Sequence, residues 1–315
     1  MNEASLWRFE IAQKIAFVFA QTPGVEAIQL GGSAAHGWAD PYSDTELGVF
    51  WRELPTVHQQ MAMLAKVKGR PRFGKIYPFR HPDPYEPGGG YSPFLVGRAP
   101  EGNAGIDYPA SESGYPIEME QDTVAGAEQC LVDVIDNFDA SVRRQGLLAF
   151  IQTGIPLHGK ALIEKWRQKI AVYPDELATK IIHSKLKSLR WKLWQQEVWV
   201  ARNDVLALYR EMVEIERDLV ELLLALNRVY YRADIKWIDR AIQPLPIKPA
   251  ELSARLKQGF QMQPSQGLEH LRQLTAETLD LVAEHSPGID ASVLETTLSP
   301  CWRTWENPPE DWQVE

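Results

Sequence analysis

The sequence predicts an α+β protein, with an α/β domain at residues 1–125 followed by an all-helical domain at residues 126–315. Two observations support this division. Short segments of apolar alternation, which are typical of strands, are confined to the first part of the chain. From Ala125 onward, apolar residues recur at three- and four-residue spacing nearly to the end, as they do in amphipathic helices. The change of pattern near residue 125 therefore predicts the domain boundary.

The first domain is predicted to begin with a helix, two strands and a second helix. Apolar residues recur at helical spacing from Leu6 to Ala20, and Pro23-Gly24 ends that helix. Val25–Leu30 and Thr45–Trp51 have the apolar content and length of strands. Pro55–Val67 is predicted to be an amphipathic helix, because proline is favoured in a first helical turn.

A loop-rich insertion follows at about residues 69–115, where glycine and proline are frequent. Short strands are predicted inside it at 76–79 and 94–96. A long loop within a compact domain commonly serves function. Residues 116–124 then form a predicted strand, in which Ile117 and Met119 share one face and the intervening acidic residues share the other.

The second domain is predicted to consist of helices alone. The longest periodic stretch exceeds an ordinary helix and is expected to break near Arg202-Asn203-Asp204. The predicted helical segments are 126–153, 160–172, 174–231, 248–262 and 266–285.

Composition and charge narrow the class of function. The chain has 44% hydrophobic and 24% charged residues, as soluble globular proteins do, with neither an apolar membrane span nor a signal peptide expected. Cys130 and Cys301 fit no metal-binding spacing, so we expect ordinary thiols in a reducing cytoplasm. The net charge of −9 disfavours nucleic acid as a partner and suits a cationic small substrate.

The strongest local signal is a glycine-serine turn followed by two carboxylates. Gly31-Gly32-Ser33 ends the first predicted strand and precedes a short helical turn, where backbone N–H groups and a hydroxyl can bind phosphate. Asp44 and Glu46 are two residues apart at the next strand, so they point to one face. Paired carboxylates suit a hard divalent cation such as Mg²⁺. The combination predicts a nucleotide site.

This spacing resembles the nucleotidyltransferase superfamily that includes DNA polymerase β, and the Asp-x-Glu pair resembles kanamycin-type antibiotic nucleotidyltransferases. The resemblance implies a mixed sheet, with one or two Mg²⁺ ions held by Asp44, Glu46 and a third carboxylate. Glu118 is the preferred third ligand and catalytic base, with Glu120 as the alternative and Asp107 and Asp122 as further choices. The competing interpretation is that Glu118 and Glu120 simply face water.

The resemblance also implies nucleotide contacts, through Gly32, Ser33 and Ser43. Residues 154–159 resemble a recurring junction after a helix in bacterial nucleotidyltransferases that have a helical C-terminal domain. Residues 227–231 and 236–237 resemble the helical tail of that group, in which a lysine or tyrosine contacts phosphate or acceptor. Lys236 and Tyr231 are the candidates, and an ordinary surface lysine and helix-end tyrosine are the alternative interpretations.

The implied reaction is transfer of a nucleoside monophosphate, with AMP expected, from ATP or another nucleoside triphosphate to a hydroxyl of a small, aminoglycoside-like acceptor. One alternative is an enzyme that attaches AMP to a protein. Another is a nucleotide-binding module without activity, which would not need both Asp44 and Glu46. The chain is expected to act in the cytoplasm, away from membranes, as a monomer or homodimer.

Overall fold

The computed structural model describes residues 1–72, 74, 76, 90–97, 114–231 and 236–298. The chain divides into two compact units, Met1–Tyr173 and Pro174–Glu315. Within the described ranges, no helix combines the length and the apolar character that crossing a bilayer would require.

The first unit is built on a mixed sheet of seven strands in its described part. Strand order is β3-β5-β6-β2-β1-β7, and β4 also pairs with β6. β2 and β6 run parallel, whereas the other pairs are antiparallel. The strands are β1 (Val25–Leu30), β2 (Thr45–Trp51), β3 (Arg70–Pro71), β4 (Gly90–Tyr91), β5 (Phe94–Val96), β6 (Tyr115–Thr123) and β7 (Ile155–His158).

Six described helices belong to this unit and cover both faces of the sheet. On one face, Leu47, Val49 and Met119 pack with residues of the first and third helices in a continuous apolar core. On the other face, Phe50 of β2 contacts Trp166 of the sixth helix. The helices are α1 (Glu3–Phe19), α2 (Gly32–Ala35), α3 (Val57–Lys66), α4 (Val124–Ile135), α5 (Val142–Thr153) and α6 (Lys160–Ile170).

The second unit is helical throughout its described part. The helices Asp175–Ala201 and Val205–Leu226 form an antiparallel hairpin. The chain turns at Asn203, whose φ is 50°, and the Asp204 side chain caps the second helix by accepting the Ala207 N–H at 3.1 Å. The helices of this unit are α7 (Asp175–Ala201), α8 (Val205–Leu226), α9 (Ile238–Ile242), α10 (Leu252–Gln261), α11 (Pro264–His285) and α12 (Ala291–Thr297).

The fold agrees with the predicted α+β class and mixed sheet, and with the predicted strands at 25–30, 45–51 and 94–96. The helix break at 202–204 is also confirmed. The predicted strand at 76–79 lies, apart from Ile76, outside the described residues.

Two features differ from prediction. The single helix expected at 126–153 is divided into α4 and α5, because Phe138 between them has a φ of 55°. Ile155–His158, within the segment that resembles a family junction, forms β7, which pairs with β1. The first unit therefore extends to Tyr173 and includes α4, α5 and α6, whereas the composition change near residue 125 predicted an earlier boundary.

Candidate active site

Two carboxylates lie side by side on neighbouring strands of the sheet. The parallel register of β2 and β6 pairs Glu46 with Glu118. Paired residues on adjacent strands point to the same face, and neighbouring strands are about 4.8 Å apart. Two like charges in this position destabilise a sheet unless a cation is close to them. The register thus brings two of the predicted ligands together.

The backbone at Gly32 approaches the Glu46 carboxyl group closely. A Cβ on Gly32 would lie 2.3–2.6 Å from the three carboxyl atoms of Glu46, and the φ of Gly32 is 59°. Gly31 N–H also donates to the Glu46 carbonyl oxygen at 2.9 Å. The backbone conformation therefore favours glycine at position 32, and any side chain there would displace the Glu46 carboxyl group.

The predicted phosphate-binding residues lie in the first turn of α2. Gly32, Ser33 and Ala34 are its first three residues, and N–H groups at these positions make no hydrogen bond within a helix. This turn starts where β1 ends, beside Glu46. The arrangement is suited to an anion bound next to the carboxylates.

Asp44 immediately precedes β2, at the end of a turn that hydrogen bonds from Arg8 of α1 hold in place. Arg8 is 2% exposed and donates hydrogen bonds to the carbonyl oxygens of Ser43 (2.6 and 3.0 Å), Asp40 (2.8 Å) and Ala4 (2.8 Å). A buried guanidinium needs such acceptors to offset its desolvation. Arg8 therefore holds the backbone next to Asp44.

The side chain of Ser43 is used inside this turn. Its hydroxyl donates to the Asp40 carboxylate at 2.9 Å and accepts the Asp40 N–H at 3.0 Å. Its expected contact with a nucleotide stays a prediction.

Tyr115 connects the turn to the strands, because its hydroxyl lies 2.8 Å from Thr45 Oγ1. Burial raises the pKa of Tyr115, against the opposing effects of the Thr45 hydrogen bond and the nearby Arg8 guanidinium. The phenol therefore stays protonated at neutral pH and acts as a structural link.

Glu118 forms an ion pair with Nη1 of Arg72. Over the ranges that the structure describes, no three His, Cys, Asp or Glu side chains are grouped closely enough to hold a metal ion. Asp44, Glu46 and Glu118 are thus not gathered as a three-ligand cage. Carboxylates without a shared cation repel each other, and Arg72 supplies positive charge at Glu118 instead.

Strand register separates the candidates for the third carboxylate. Glu120 pairs with Gly48 and is exposed, and Asp122 pairs with Phe50 at the far end of β6. Burial raises the pKa of Asp122 to about 6, with Glu120 adding to the rise and a hydrogen bond from Thr123 N–H opposing it. Glu118 is the candidate that lies beside Glu46, and Asp107 falls outside the described residues.

Helix α5 covers the carboxylate face. Glycines at 31 and 48 leave the space that the Phe150 ring fills, since a Cβ on either would lie within 2.6 Å of that ring. Gly48 is two residues after Glu46 on the same strand, so the two residues share a face. Phe150 therefore forms an apolar wall next to the carboxylates.

The three predicted ligands carry the kind of donor atom that a hard divalent cation binds. Asp44, Glu46 and Glu118 offer only carboxylate oxygens, which Mg²⁺ prefers. The missing side chain at Gly32 leaves the Glu46 carboxyl group space against the α2 turn.

The two remaining predicted residues belong to the second unit. Tyr231 is buried, and burial raises its pKa, with Glu221 adding to the rise and Arg217 opposing it. Lys236 is exposed. Their proposed contacts with nucleotide or acceptor stay predictions.

Comparisons with known proteins give limited similarity. A family model described as a domain of unknown function (DUF4037) matches residues 140–238, about a third of the chain. Among solved structures, the chain is similar to a nucleotidyltransferase-like protein from Exiguobacterium sibiricum 255-15, with 12% identity and a TM-score of 0.36, over 90% of this chain and 81% of that one. No curated protein matches. The geometry of the site therefore carries the functional proposal.

The sequence pattern did not identify three residues that shape this site. Arg8 lies on the buried face of α1, between Ser5 and Ala12, and a charge at that helical position was a detectable signal. Phe150 lies in a segment with no nearby motif. Arg72 lies in the loop-rich region, where no periodicity indicated its pairing with Glu118.

Proposed function

We propose that the chain is a Mg²⁺-dependent nucleotidyltransferase that moves AMP from ATP to a hydroxyl group of a small molecule. The observation that carries the proposal is the in-register pair of Glu46 and Glu118, set against the backbone of Gly32. A like-charge pair held by strand register is unfavourable for a sheet alone and useful for binding a cation.

In this proposal, Asp44, Glu46 and Glu118 hold the cation, and the α2 turn with Ser33 binds the phosphates. A divalent cation held there would neutralise phosphate charge and help to orient the triphosphate. The acceptor oxygen forms a bond to the α-phosphorus as the bond to pyrophosphate breaks, and Glu118 takes the hydroxyl proton. Phe150 excludes water from one side of the carboxylates.

The acceptor is proposed to be a hydroxylated, cationic compound of the aminoglycoside type. The net charge of −9 supports this class, since an acidic protein attracts cations at long range. Tyr231 and Lys236 are the proposed contacts from the helical unit.

Pyrophosphate release tests the proposal. The purified chain is incubated with Mg²⁺, each nucleoside triphosphate and a panel of hydroxylated amines. Asp44→Asn and Glu46→Gln should lower acceptor-dependent release by about 1,000-fold, because they remove charges that hold the cation. Full activity in either variant would contradict the assignment.

Glu118→Gln and Glu120→Gln form a matched pair of variants on the same strand. Loss of activity in the first with retention in the second supports Glu118 as the third carboxylate, and the reverse result would transfer that role to Glu120. Label transferred from ATP to protein rather than to the panel would support the protein-modifying alternative. Nucleotide binding without any transfer would support a binding module.

A further inference from the structure

Backbone pairing between neighbouring strands places Arg72 within reach of Glu118. The Arg72 N–H donates to the Pro93 carbonyl oxygen at 3.1 Å, directly after β3 ends. Next to this bond, Pro71 pairs with Phe94, and Phe94 in turn pairs with Ile117. The guanidinium thus reaches across β5 to Glu118, the residue after Ile117. Strand pairing, rather than chance side-chain conformation, sets this position.

The ion pair is partly withdrawn from solvent, with side-chain exposures of 34% for Arg72 and 14% for Glu118. A largely buried carboxylate needs a counter-charge, and removing that charge is unfavourable. Arginine has a planar fork of five N–H donors and keeps its charge at all relevant pH values. It can therefore exchange one oxyanion for another without losing a proton.

We propose that Arg72 is a substrate-binding residue: it pairs with Glu118 when no nucleotide is bound, and it binds the triphosphate once Glu118 takes part in holding a divalent cation. The inference rests on the proposed function. Two cations compete for one carboxylate, so binding of the divalent ion at Glu118 weakens the Arg72 ion pair. The nearest new anions are then phosphate oxygens, with which guanidinium forms charge-assisted hydrogen bonds.

This exchange has a signature that a purely structural ion pair lacks. In a variant without Arg72, no guanidinium competes with the divalent ion for Glu118. The divalent ion therefore binds more tightly when no nucleotide is present. Nucleotide binding becomes weaker at the same time, because the phosphates have lost a guanidinium partner. The two affinities therefore move in opposite directions.

Two binding measurements on the full chain test the exchange. Electron paramagnetic resonance gives the affinity for Mn²⁺ alone, and calorimetry gives the affinity for a non-hydrolysable ATP analogue with Mg²⁺. For Arg72→Ala we expect Mn²⁺ to bind about 3- to 10-fold more tightly and the nucleotide about 10- to 100-fold more weakly. Arg72→Lys, which keeps the charge without the fork, should give intermediate values for both.

Arg70→Ala is the matched control, since Arg70 lies in β3, two residues before Arg72, and donates to the Gly97 carbonyl oxygen at 3.2 Å. It should leave both affinities near those of the unsubstituted chain. Parallel weakening of both affinities in Arg72→Ala and Arg72→Lys, or unchanged nucleotide affinity in Arg72→Ala, would overturn the inference. If the unsubstituted chain bound no Mg²⁺–nucleotide, the proposed function itself would fail, which is a separate result.

Discussion

The two units of the chain each contain a group of buried or half-buried carboxylates, built in contrasting ways. In the helical unit, Lys192 of α7 contacts Asp218 at 2.5 Å and Glu214 at 3.3 Å, and Lys185 contacts Asp218 and Glu221. Opposite charges thus alternate across the α7–α8 hairpin. On the sheet, Glu46 and Glu118 stand next to each other as like charges, and the Arg72 guanidinium pairs with Glu118.

This difference in charge arrangement distinguishes a network that stabilises the fold from a candidate binding site. Interleaved lysines offset the desolvation of Asp218, whose side chain is 5% exposed, without any ligand. Strand register holds Glu46 beside Glu118 although the pairing opposes folding. Features that oppose stability tend to lie at functional sites. Neutralising Glu46 and removing a lysine of the helical network should therefore affect stability in opposite directions.

The largest effect on stability is expected for Gly32→Ala. Its Cβ would lie 2.3–2.6 Å from the Glu46 carboxyl atoms, at a φ of 59°. Backbone strain, with a smaller contribution from moving the flexible Glu46 carboxyl group, should lower the free energy of unfolding by about 2–3 kcal/mol, as urea unfolding would measure.

Gly97→Ala is the control for that substitution. Gly97 has a φ of 64° and open space around its Cβ position, so strain alone should cost about 1 kcal/mol. Equal losses in the two variants would show that the Glu46 carboxyl group does not lie against Gly32.

The next effect is expected in the helical network. Lys192→Met leaves Asp218 with Lys185 as its remaining lysine partner, so the variant should lose about 2 kcal/mol of stability. Lys187→Met, at an exposed position of the same helix, should change it by less than about 0.5 kcal/mol. A neutral Lys192→Met would mean that the network does not stabilise the hairpin.

The sequence predicted the sheet site better than the helical network. Alternation in 45–51 and 116–124 was enough to place Glu46 and Glu118 on strand faces, because side-chain direction in a strand has a period of two. The two strands are adjacent, parallel and in this register only because segments far apart in the sequence come together in the fold. Local periodicity contains no such information.

Other features were missed for related physical reasons. β7 has four residues, includes Pro156, and becomes a strand only by pairing at the sheet edge with β1. Lys192 and Asp218 are ordinary charged residues in amphipathic helices until the hairpin closes. Arg72 lacks any periodic context, and its ion pair with Glu118 depends on contacts formed between strands.

A pH effect of comparable size is expected from Glu216, which is 8% exposed in α8. Burial raises its pKa from 4.5 to about 7. The folded chain thus binds more protons than the unfolded chain between these values, and stability falls as pH rises through this range. Glu216→Gln removes this contribution.

Urea unfolding at pH 5 and pH 8 measures the difference. The unsubstituted chain should lose about 2–3 kcal/mol more than Glu216→Gln over this interval. Identical losses would contradict the raised pKa.

The smallest effect, and one of opposite sign, is expected for Glu46→Gln without divalent ions. Neutralising one of two adjacent like charges should raise the free energy of unfolding by about 0.5 kcal/mol. A loss of more than about 1 kcal/mol would place Glu46 among stabilising residues, as in the helical network.

Direct binding of Mn²⁺ tests the central claim, that Glu46 and Glu118 form a cation site. Electron paramagnetic resonance would compare the unsubstituted chain with Glu46→Gln, Glu118→Gln and the neighbouring control Glu120→Gln. We predict a saturable site that Glu46→Gln and Glu118→Gln each weaken at least about 10-fold and that Glu120→Gln preserves. Equal Mn²⁺ affinity in all four proteins would contradict the claim.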